Sequence, residues 1–288
     1  MTFVSRLGRI IGLLGLAAVL AACSAIKLGY NTLDDVAYWW LDSYVDFTDE
    51  QASRVREDLG RLHQWHRATQ LPQFATMLAS VEHLAAGDVT PAQACTVFAQ
   101  LRERLDAVAQ RAEPAVVTLA TSLSADQLAH LERRYEKNNA DYRKNWMLPP
   151  KPEQVDKRFT QFLERSEMVY GKLEEPQRKV LRTQLEGSAF DPRKVLAERQ
   201  RRQRDLLQTL RRIAGVPVSF EEARGLLRGY LDRVREPPDA PDRAYQRALI
   251  NEGCAIFATL HNSTTATQRE GALRRLRAYQ RDLRELTA

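Results

Sequence analysis

The chain has 288 residues, of which 44% are hydrophobic and 28% are charged, with a formal net charge of +6. Residues 1–22 contain two arginines and no acidic residue, so the rest of the chain carries only +4. This composition predicts a globular protein of one large or two small domains, and it excludes a chain with several membrane spans.

The N terminus has the pattern of an export signal. Arg6 and Arg9 precede an unbroken run of apolar and small residues over 10–20, and this run, extended to Ala22, contains 13 residues. A membrane-spanning helix needs about 20 apolar residues. We therefore interpret residues 1–22 as a cleaved signal peptide.

The end of this signal indicates how the protein is held. Leu20, Ala21, Ala22 and Cys23 resemble the bacterial lipobox in all four positions. The resemblance implies cleavage before Cys23 and acylation of that residue, and several acyl chains on one residue give a stable membrane attachment. The alternative is an ordinary secretory signal followed by a chance cysteine.

The residue after the cysteine bears on the destination. An aspartate there would resemble the signal for retention in the inner membrane, whereas this chain has Ser24. We therefore expect an outer-membrane anchor, a short tether over residues 23–31 and a helical periplasmic domain over residues 32–288. The segment 147–153 is a candidate hinge, although a single body is the favoured interpretation.

All predicted elements after the tether are helices, because apolar residues recur at helical spacing and no strand-like alternation is found. Five Ser/Thr-x-x-Gln/Glu patterns predict helix starts as capping boxes. They begin at Thr48, Thr90, Ser124, Ser219 and Thr265. Helix breaks are expected at prolines, namely Pro72, Pro114, Pro149 with Pro150, and 237–241. The sequence thus predicts an elongated all-α bundle of about nine to eleven helices.

The first predicted helix contains two adjacent tryptophans, Trp39 and Trp40, within an acidic stretch over residues 34–58 that has a net charge of −6. Neighbouring residues on a helix point about 100° apart, so both cannot enter one narrow core stripe. One indole could rest at a lipid interface. Packing of both between neighbouring helices is the favoured interpretation.

Cys95 and Cys254 are the thiols that remain once Cys23 is acylated. An even pair of cysteines in an oxidising envelope is more often bonded than free, so we predict one disulfide between them. The alternative is two separate buried thiols that behave as small hydrophobic side chains.

A basic stretch over residues 193–212 has a net charge of +6. Nucleic acid is excluded as a partner of an exported protein, so the expected partners are an acidic envelope protein, an anionic lipid or lipopolysaccharide. The alternative is a solvated helix face with internal ion pairs. The candidate partner-binding residues are Arg199, Arg201, Arg202, Arg204, Arg211 and Arg212.

The sequence contains none of the metalloprotease, hydrolase, phosphate-loop or C-x-x-C patterns, so it predicts no catalytic residue and no cofactor. His63 and His66 could begin a metal site, but nothing nearby completes a ligand set, and a structural role is favoured. His261 is interpreted as part of a helix end before the cap Thr265, because a lone histidine makes no catalytic triad.

Three stretches resemble an uncharacterised lipoprotein family of Gram-negative bacteria, filed as a domain of unknown function. They are residues 23–51, which include NTLDDVAYWWLDSYVDF, residues 64–74 and residues 260–286. A weaker likeness is to small periplasmic stress chaperones with an L-T-x-x-Q motif, through FTDEQ at 47–51 and LSADQ at 123–127. LEEPQ at 173–177 keeps the glutamine of that motif but lacks the hydroxyl.

The expected function is that of an outer-membrane lipoprotein whose helical periplasmic body is an interaction or scaffold module without catalysis. Its membrane contact would be the lipid on Cys23. The second hypothesis is a chaperone-like or ligand-binding body with a concave helical surface, and the third is an enzyme that acts on envelope polymers.

Overall fold

A computed structural model describes residues 27–215 and 217–287. The predicted all-helical fold is confirmed, since this part of the chain contains eleven α-helices and no strand. The helices are α1 Leu33–Val45, α2 Asp49–Trp65, α3 Leu71–Ala85, α4 Pro91–Thr121, α5 Ala125–Tyr142, α6 Lys151–Tyr170, α7 Glu175–Glu186, α8 Pro192–Gly215, α9 Phe220–Arg235, α10 Ala240–Asn262 and α11 Ala266–Thr287. A helical stretch over residues 27–31 precedes α1.

The helix starts follow the predicted caps. Thr48, Thr90 and Ser124 each accept the amide of the third helical residue, and the glutamine there returns to the cap amide. Thr265 and Gln268 exchange the same two bonds. At Ser219 the hydroxyl accepts the amide of Glu222, which caps α9. Each cap satisfies backbone donors that a helix start leaves unpaired.

Two of the predicted proline breaks are wrong. Pro114 lies inside α4, whose thirty-one residues continue through it. A helix-interior proline removes one hydrogen bond and crowds the preceding turn, but packing holds this helix on both sides of it. Val117 is fully buried, and Glu113 accepts hydrogen bonds from Arg224 and Arg228.

At Pro72 the helix also continues, by a different route. A five-residue π-helical turn, His66–Gln70, leads directly from α2 into α3, and the Leu71 amide donates to the His66 carbonyl. The wider turn changes the hydrogen-bonding register just before the proline. The breaks expected at 149–150 and 237–241 do separate helices. The candidate hinge 147–153 includes the first of them, between a second π-helical turn, Arg143–Met147, and α6.

The chain turns between helices at two junctions of the same design. At the first junction, Gln51 and Gln127 exchange amide hydrogen bonds of 3.3 and 2.6 Å. At the second junction, Gln177 and Gln268 do so at 2.7 and 3.0 Å. In each case a glutamine at the start of one helix meets a glutamine at the start of another.

Each junction glutamine also donates to the backbone of the turn that precedes its partner's helix. The accepting carbonyls all lie two residues before the partner's cap: Ser122, Asp46, Ser263 and Lys172. One amide side chain therefore joins its own helix start, the partner glutamine and the partner's turn. Buried polar groups of this kind are retained where all their bonds are made.

The largest buried core lies beside the first junction and joins α4, α5, α8 and α9. Its buried members include Val117, Leu128, Leu210, Ile213 and Leu227. A second group of buried residues lies beside the second junction and consists of Tyr170, Leu173, Leu260 and Ala272. The two junctions thus sit at the edges of two separate packed regions.

Candidate functional site

The predicted lipobox, Leu20, Ala21 and Ala22 with Cys23, lies outside the described residues, as does the whole signal peptide 1–22. The described chain begins at Lys27, four positions after Cys23. Within the described ranges, every helix is too short or too polar to cross a lipid bilayer.

The pair of cysteines predicted to bond lies between α4 and α10. Cys95 and Cys254 form a disulfide with their Cα atoms 5.4 Å apart, across a sequence separation of 159. Cys254 is fully buried and packs against Val89 and Ala94. The link ties the start of α4 to the middle of α10, near the second junction.

The basic stretch lies within α8, and three of its six candidate arginines have acidic partners within the protein. Arg201 and Arg202 both donate to Glu198 at 2.6 Å. Arg211 donates to Glu132 of α5, also at 2.6 Å. Their positive charge is thereby balanced inside the molecule.

The other three candidates differ in their surroundings. Arg199 lies over the ring of Tyr142, 5.8 Å from its centroid. Arg204 and Arg212 are exposed and have no acidic partner in the part of the chain that the structure describes. The six arginines therefore do not form one continuous cationic face, and only these two point charge into solvent without compensation.

A cleft of about 370 Å³ opens beside the same helix, between α5, α8, α9 and α10. Three tyrosines, Tyr135, Tyr230 and Tyr245, line it together with Arg199 and Arg202. Burial raises the pKa of each of the three phenols, so they remain protonated hydrogen-bond donors at neutral pH.

The cleft also contains the carboxylates of Glu198 and Asp242. Burial raises the pKa of Glu198, but the hydrogen bonds from Arg201 and Arg202 outweigh it and hold that pKa below its ordinary value. A general acid needs the opposite shift, so Glu198 is an ion-pair member. The arrangement can bind a polar or aromatic group.

The two histidines considered as metal ligands contact other side chains. The Tyr30 hydroxyl lies 2.9 Å from Nδ1 of His66, and Nδ1 of His63 lies 3.5 Å from a carboxylate oxygen of Asp34. Burial, with a smaller effect of the nearby His63, lowers the pKa of His66. Over residues 27–215 and 217–287, no group of three or more histidine, cysteine or acidic side chains could hold a metal ion.

His261 lies in the last turn of α10, where the sequence placed it, and is buried. Its Nε2 donates to the carbonyl of Gly87 at 2.8 Å, and its Nδ1 lies 2.9 Å from the Tyr170 hydroxyl. Both ring nitrogens are therefore used to join α10 to α6 and to the turn after α3.

The interpretation that both tryptophans of α1 are packed between helices is wrong. Trp39 and Trp40 are 62% and 60% exposed. The buried residue of α1 is Tyr38, which packs beneath the guanidinium group of Arg56 at 3.5 Å from the ring centroid. The helix turns Tyr38 inward, and this rotation carries both indoles to the surface.

One known protein family matches more than half of the chain. The profile of DUF6279, a family of unknown function, matches residues 43–227. The chain belongs to that family. The match includes the first junction and Gln177 of the second, as well as residues 64–74, and it ends before residues 260–286. No curated protein and no solved structure matches the chain.

Sequence reasoning missed the contacts between the junction glutamines. The capping-box pattern predicted where α2, α5 and α11 begin, but a box is a local feature and does not show which helix starts meet. Gln177 was harder to find because Glu174 occupies the cap position, although Gln177 still accepts the Glu174 amide at 2.8 Å. Each of the four junction glutamines lies three residues after the cap of its helix. Because one of the four caps has no hydroxyl, the position of the glutamine is the signal that all four share.

Proposed function

We propose that this member of DUF6279 is an outer-membrane lipoprotein whose helical periplasmic body is an interaction or scaffold module without catalysis. Its sequence supports the anchor through the basic start, the short apolar run and the lipobox that ends at Cys23. Ser24 supports outer-membrane sorting. The body would then face the periplasm, close to its membrane.

The observation that carries the proposal is the disulfide between Cys95 and Cys254 in an otherwise helical body. Such bonds form and persist in oxidising compartments such as the periplasm and are rare in the cytosol. A cytosolic protein gains little from keeping two distant cysteines in bonding geometry. The disulfide therefore supports export independently of the signal peptide.

The anchor is tested with two matched variants at the predicted lipidation site. Cys23→Ala should release the protein from the membrane fraction or block its processing, because the lipid is the membrane contact. Ser24→Asp should keep the lipid and move the protein to the inner membrane. Separation of the two membranes followed by immunoblotting measures both outcomes. Unchanged fractionation and mature mass in Cys23→Ala would contradict the proposal.

The scaffold role is tested by crosslinking in intact cells and mass spectrometry of the captured proteins. Arg204 and Arg212 are the candidates with uncompensated charge, so Arg204→Glu with Arg212→Glu should reduce capture of an acidic partner. Screening acts over about 8 Å at physiological salt, so capture should also weaken as ionic strength rises. If neither the substitutions nor the salt concentration changes the capture, these arginines belong to a solvated surface and do not bind the partner.

A second candidate function is that of a chaperone-like body, and one observation favours it. An apolar groove of about 140 Å³ lies between α3, α4 and α10, with the partly exposed Phe98, Leu101 and Phe257 along it. Exposed apolar grooves bind unfolded or helical segments. Light scattering of an aggregating client protein, with and without the anchorless body, separates this function from a scaffold. Phe98→Ser with Leu101→Ser should abolish any suppression.

A further inference from the structure

The helical stretch over residues 27–31 and α1 have one side that is firmly packed. Tyr38 on α1 is only 5% exposed, and the hydroxyl of Tyr44 accepts a hydrogen bond of 2.8 Å from Asn138 of α5. The hydroxyl of Tyr30 contacts His66 at 2.9 Å. These contacts along the whole length of the helix fix its orientation on the body.

A second side, here called the N-terminal apolar face, is largely exposed, although Arg56 lies 5.3 Å from the Trp39 ring centroid and Trp40 contacts the ring of Tyr44. Its members are large hydrophobic side chains, each close to half or more exposed: Leu28 68%, Leu33 46%, Val36 59%, Trp39 62% and Trp40 60%. Single exposed apolar residues are ordinary, but a contiguous patch indicates a contact surface. Leu33, Val36, Trp39 and Trp40 recur at helical spacing on α1, which places these four side chains on one surface, and Leu28 precedes them in the helical stretch before α1.

The position of this face in the chain indicates what covers it. Lys27 follows Cys23 by four positions, so at roughly 3.5 Å per residue the two Cα atoms are at most about 14 Å apart. A lipid attached to Cys23 would thus hold the start of the helix against the bilayer. Tryptophan is enriched at membrane interfaces, because its ring is apolar and its N–H remains solvated.

We propose that the N-terminal apolar face lies on the membrane surface that holds the lipid of Cys23, with Trp39 and Trp40 at the level of the headgroups. This inference rests on the proposed function, because the lipid supplies the proximity. The helix would be a second contact beside the lipid and would set the orientation of the body.

The charges of α1 define the kind of lipid surface. Asp34 and Asp35 lie in its first turn, and its last turn has no basic residue. Anionic lipid would therefore be repelled by the acidic positions, and the contact must depend on burial of the apolar side chains. The face is suited to a surface of zwitterionic phospholipid, and its contact should not strengthen when anionic lipid is added.

The test uses the full mature chain attached to vesicles through Cys23. With Cys95 and Cys254 bonded, Cys23 is the only thiol and can be coupled to a maleimide phospholipid in phosphatidylcholine vesicles. Lipids brominated on their acyl chains quench nearby indoles. Trp65→Phe with Trp146→Phe leaves Trp39 and Trp40 as the only tryptophans, and Trp39→Phe with Trp40→Phe is the matched control.

In the first variant we expect emission to fall and shift to the blue in brominated vesicles, whereas the control should be unchanged. Equal emission of the first variant in brominated and ordinary vesicles would overturn the proposal. A blue shift without quenching, which grows with surface density, would show a second copy on this face and also overturn it. Far-UV circular dichroism verifies that both variants are folded.

The anchor and the face fail in different ways in these experiments. Chemical coupling supplies the attachment, so quenching does not depend on lipidation in the cell. If Cys23→Ala leaves the protein in the membrane fraction, the lipoprotein proposal fails even where quenching is observed. If fractionation follows Cys23 and no quenching occurs, the anchor stands and the apolar face does not lie on lipid.

Discussion

The two junctions solve the same problem with different residues. In both, paired glutamines cross between two helix starts and accept or donate every bond their amides offer. Four residues before each cap, however, the side chains differ. The first junction has Tyr44 and Ala120 at these positions, and the second has Tyr170 and His261.

This difference changes what each junction responds to. At the first, the Tyr44 hydroxyl contacts Asn138, and His130, which is half-buried, lies 3.4 Å from the Ser43 carbonyl. At the second, Tyr170 contacts a buried histidine, and the disulfide lies nearby on α10. Two junctions with the same paired glutamines can therefore differ in their neighbours, since only the second has a fully buried histidine and a disulfide close to it.

Removal of the disulfide is expected to affect the two junctions most differently. Cys95→Ser with Cys254→Ser opens a loop of 159 residues, and the chain-entropy estimate for such a loop is about 5 kcal/mol. Strain lowers the realised value, so we expect a loss below that figure, concentrated around α10. Urea unfolding measures the total loss, and amide hydrogen exchange measures where it occurs.

Reducing agent should reproduce this loss in the wild-type chain and leave the double variant unchanged. If amide hydrogen exchange at the first junction accelerates as much as at the second, the regions around the two junctions unfold as one unit. That outcome would contradict the regional separation drawn from the positions of the two junctions.

The glutamine pairs give the next largest effect and test whether the two junctions are equivalent. Gln127→Ala leaves the Asp46 carbonyl and the Gln51 amide short of partners, and Gln177→Ala does the same to Ser263 and Gln268. An unsatisfied buried polar group costs about 1–3 kcal/mol. We expect similar losses at both sites by urea unfolding.

Gln93→Ala is the matched control for this pair, because Gln93 completes the capping box of Thr90 and crosses to no other helix start. A lost cap alone costs about 1 kcal/mol. If Gln127→Ala costs no more than Gln93→Ala, the contact between glutamines contributes nothing beyond local capping.

These junctions also show how far sequence reasoning extends. The caps at Thr48, Ser124 and Thr265 were predictable because capping is local chemistry written in four consecutive residues. The meeting of Gln51 with Gln127 was not, because it depends on a fold that brings together residues far apart in the chain. Pro114 failed as a helix break for the same reason, since packing around Val117 outweighs a local preference.

The surfaces were predicted less well than the helices. Trp39 and Trp40 of α1 were predicted to pack between helices, but apolar residues at helical spacing show only that a face is apolar and not what covers it. The charge count of residues 193–212 suggested a docking surface, yet Arg201 and Arg202 are held by Glu198 in the same helix. Of the six arginines, the docking prediction now depends on Arg204 and Arg212.

The smallest expected effect is a dependence on pH at the second junction. Burial lowers the pKa of His261 below the ordinary value of 6.5. The unfolded chain therefore binds more protons than the folded protein as pH falls below about 6.5, and stability falls until the pH has passed the folded pKa. Above about pH 7 the contribution is complete, because the histidine is neutral in both states.

His261→Gln removes this titration while it keeps a side chain that can bond to Tyr170 and to the Gly87 carbonyl. We expect the variant to lose less stability than the wild type between about pH 7.5 and pH 5.5, by at most about 1.4 kcal/mol, because only about one pH unit of this window lies below the ordinary pKa. The pKa of His66 is also lowered, so the stability of both proteins still depends on pH to some extent through His66. His83→Gln, at an exposed histidine of α3, is the control and should keep the wild-type slope. Equal slopes in His261→Gln and wild type, from urea unfolding at each pH, would show that the second junction does not sense protons.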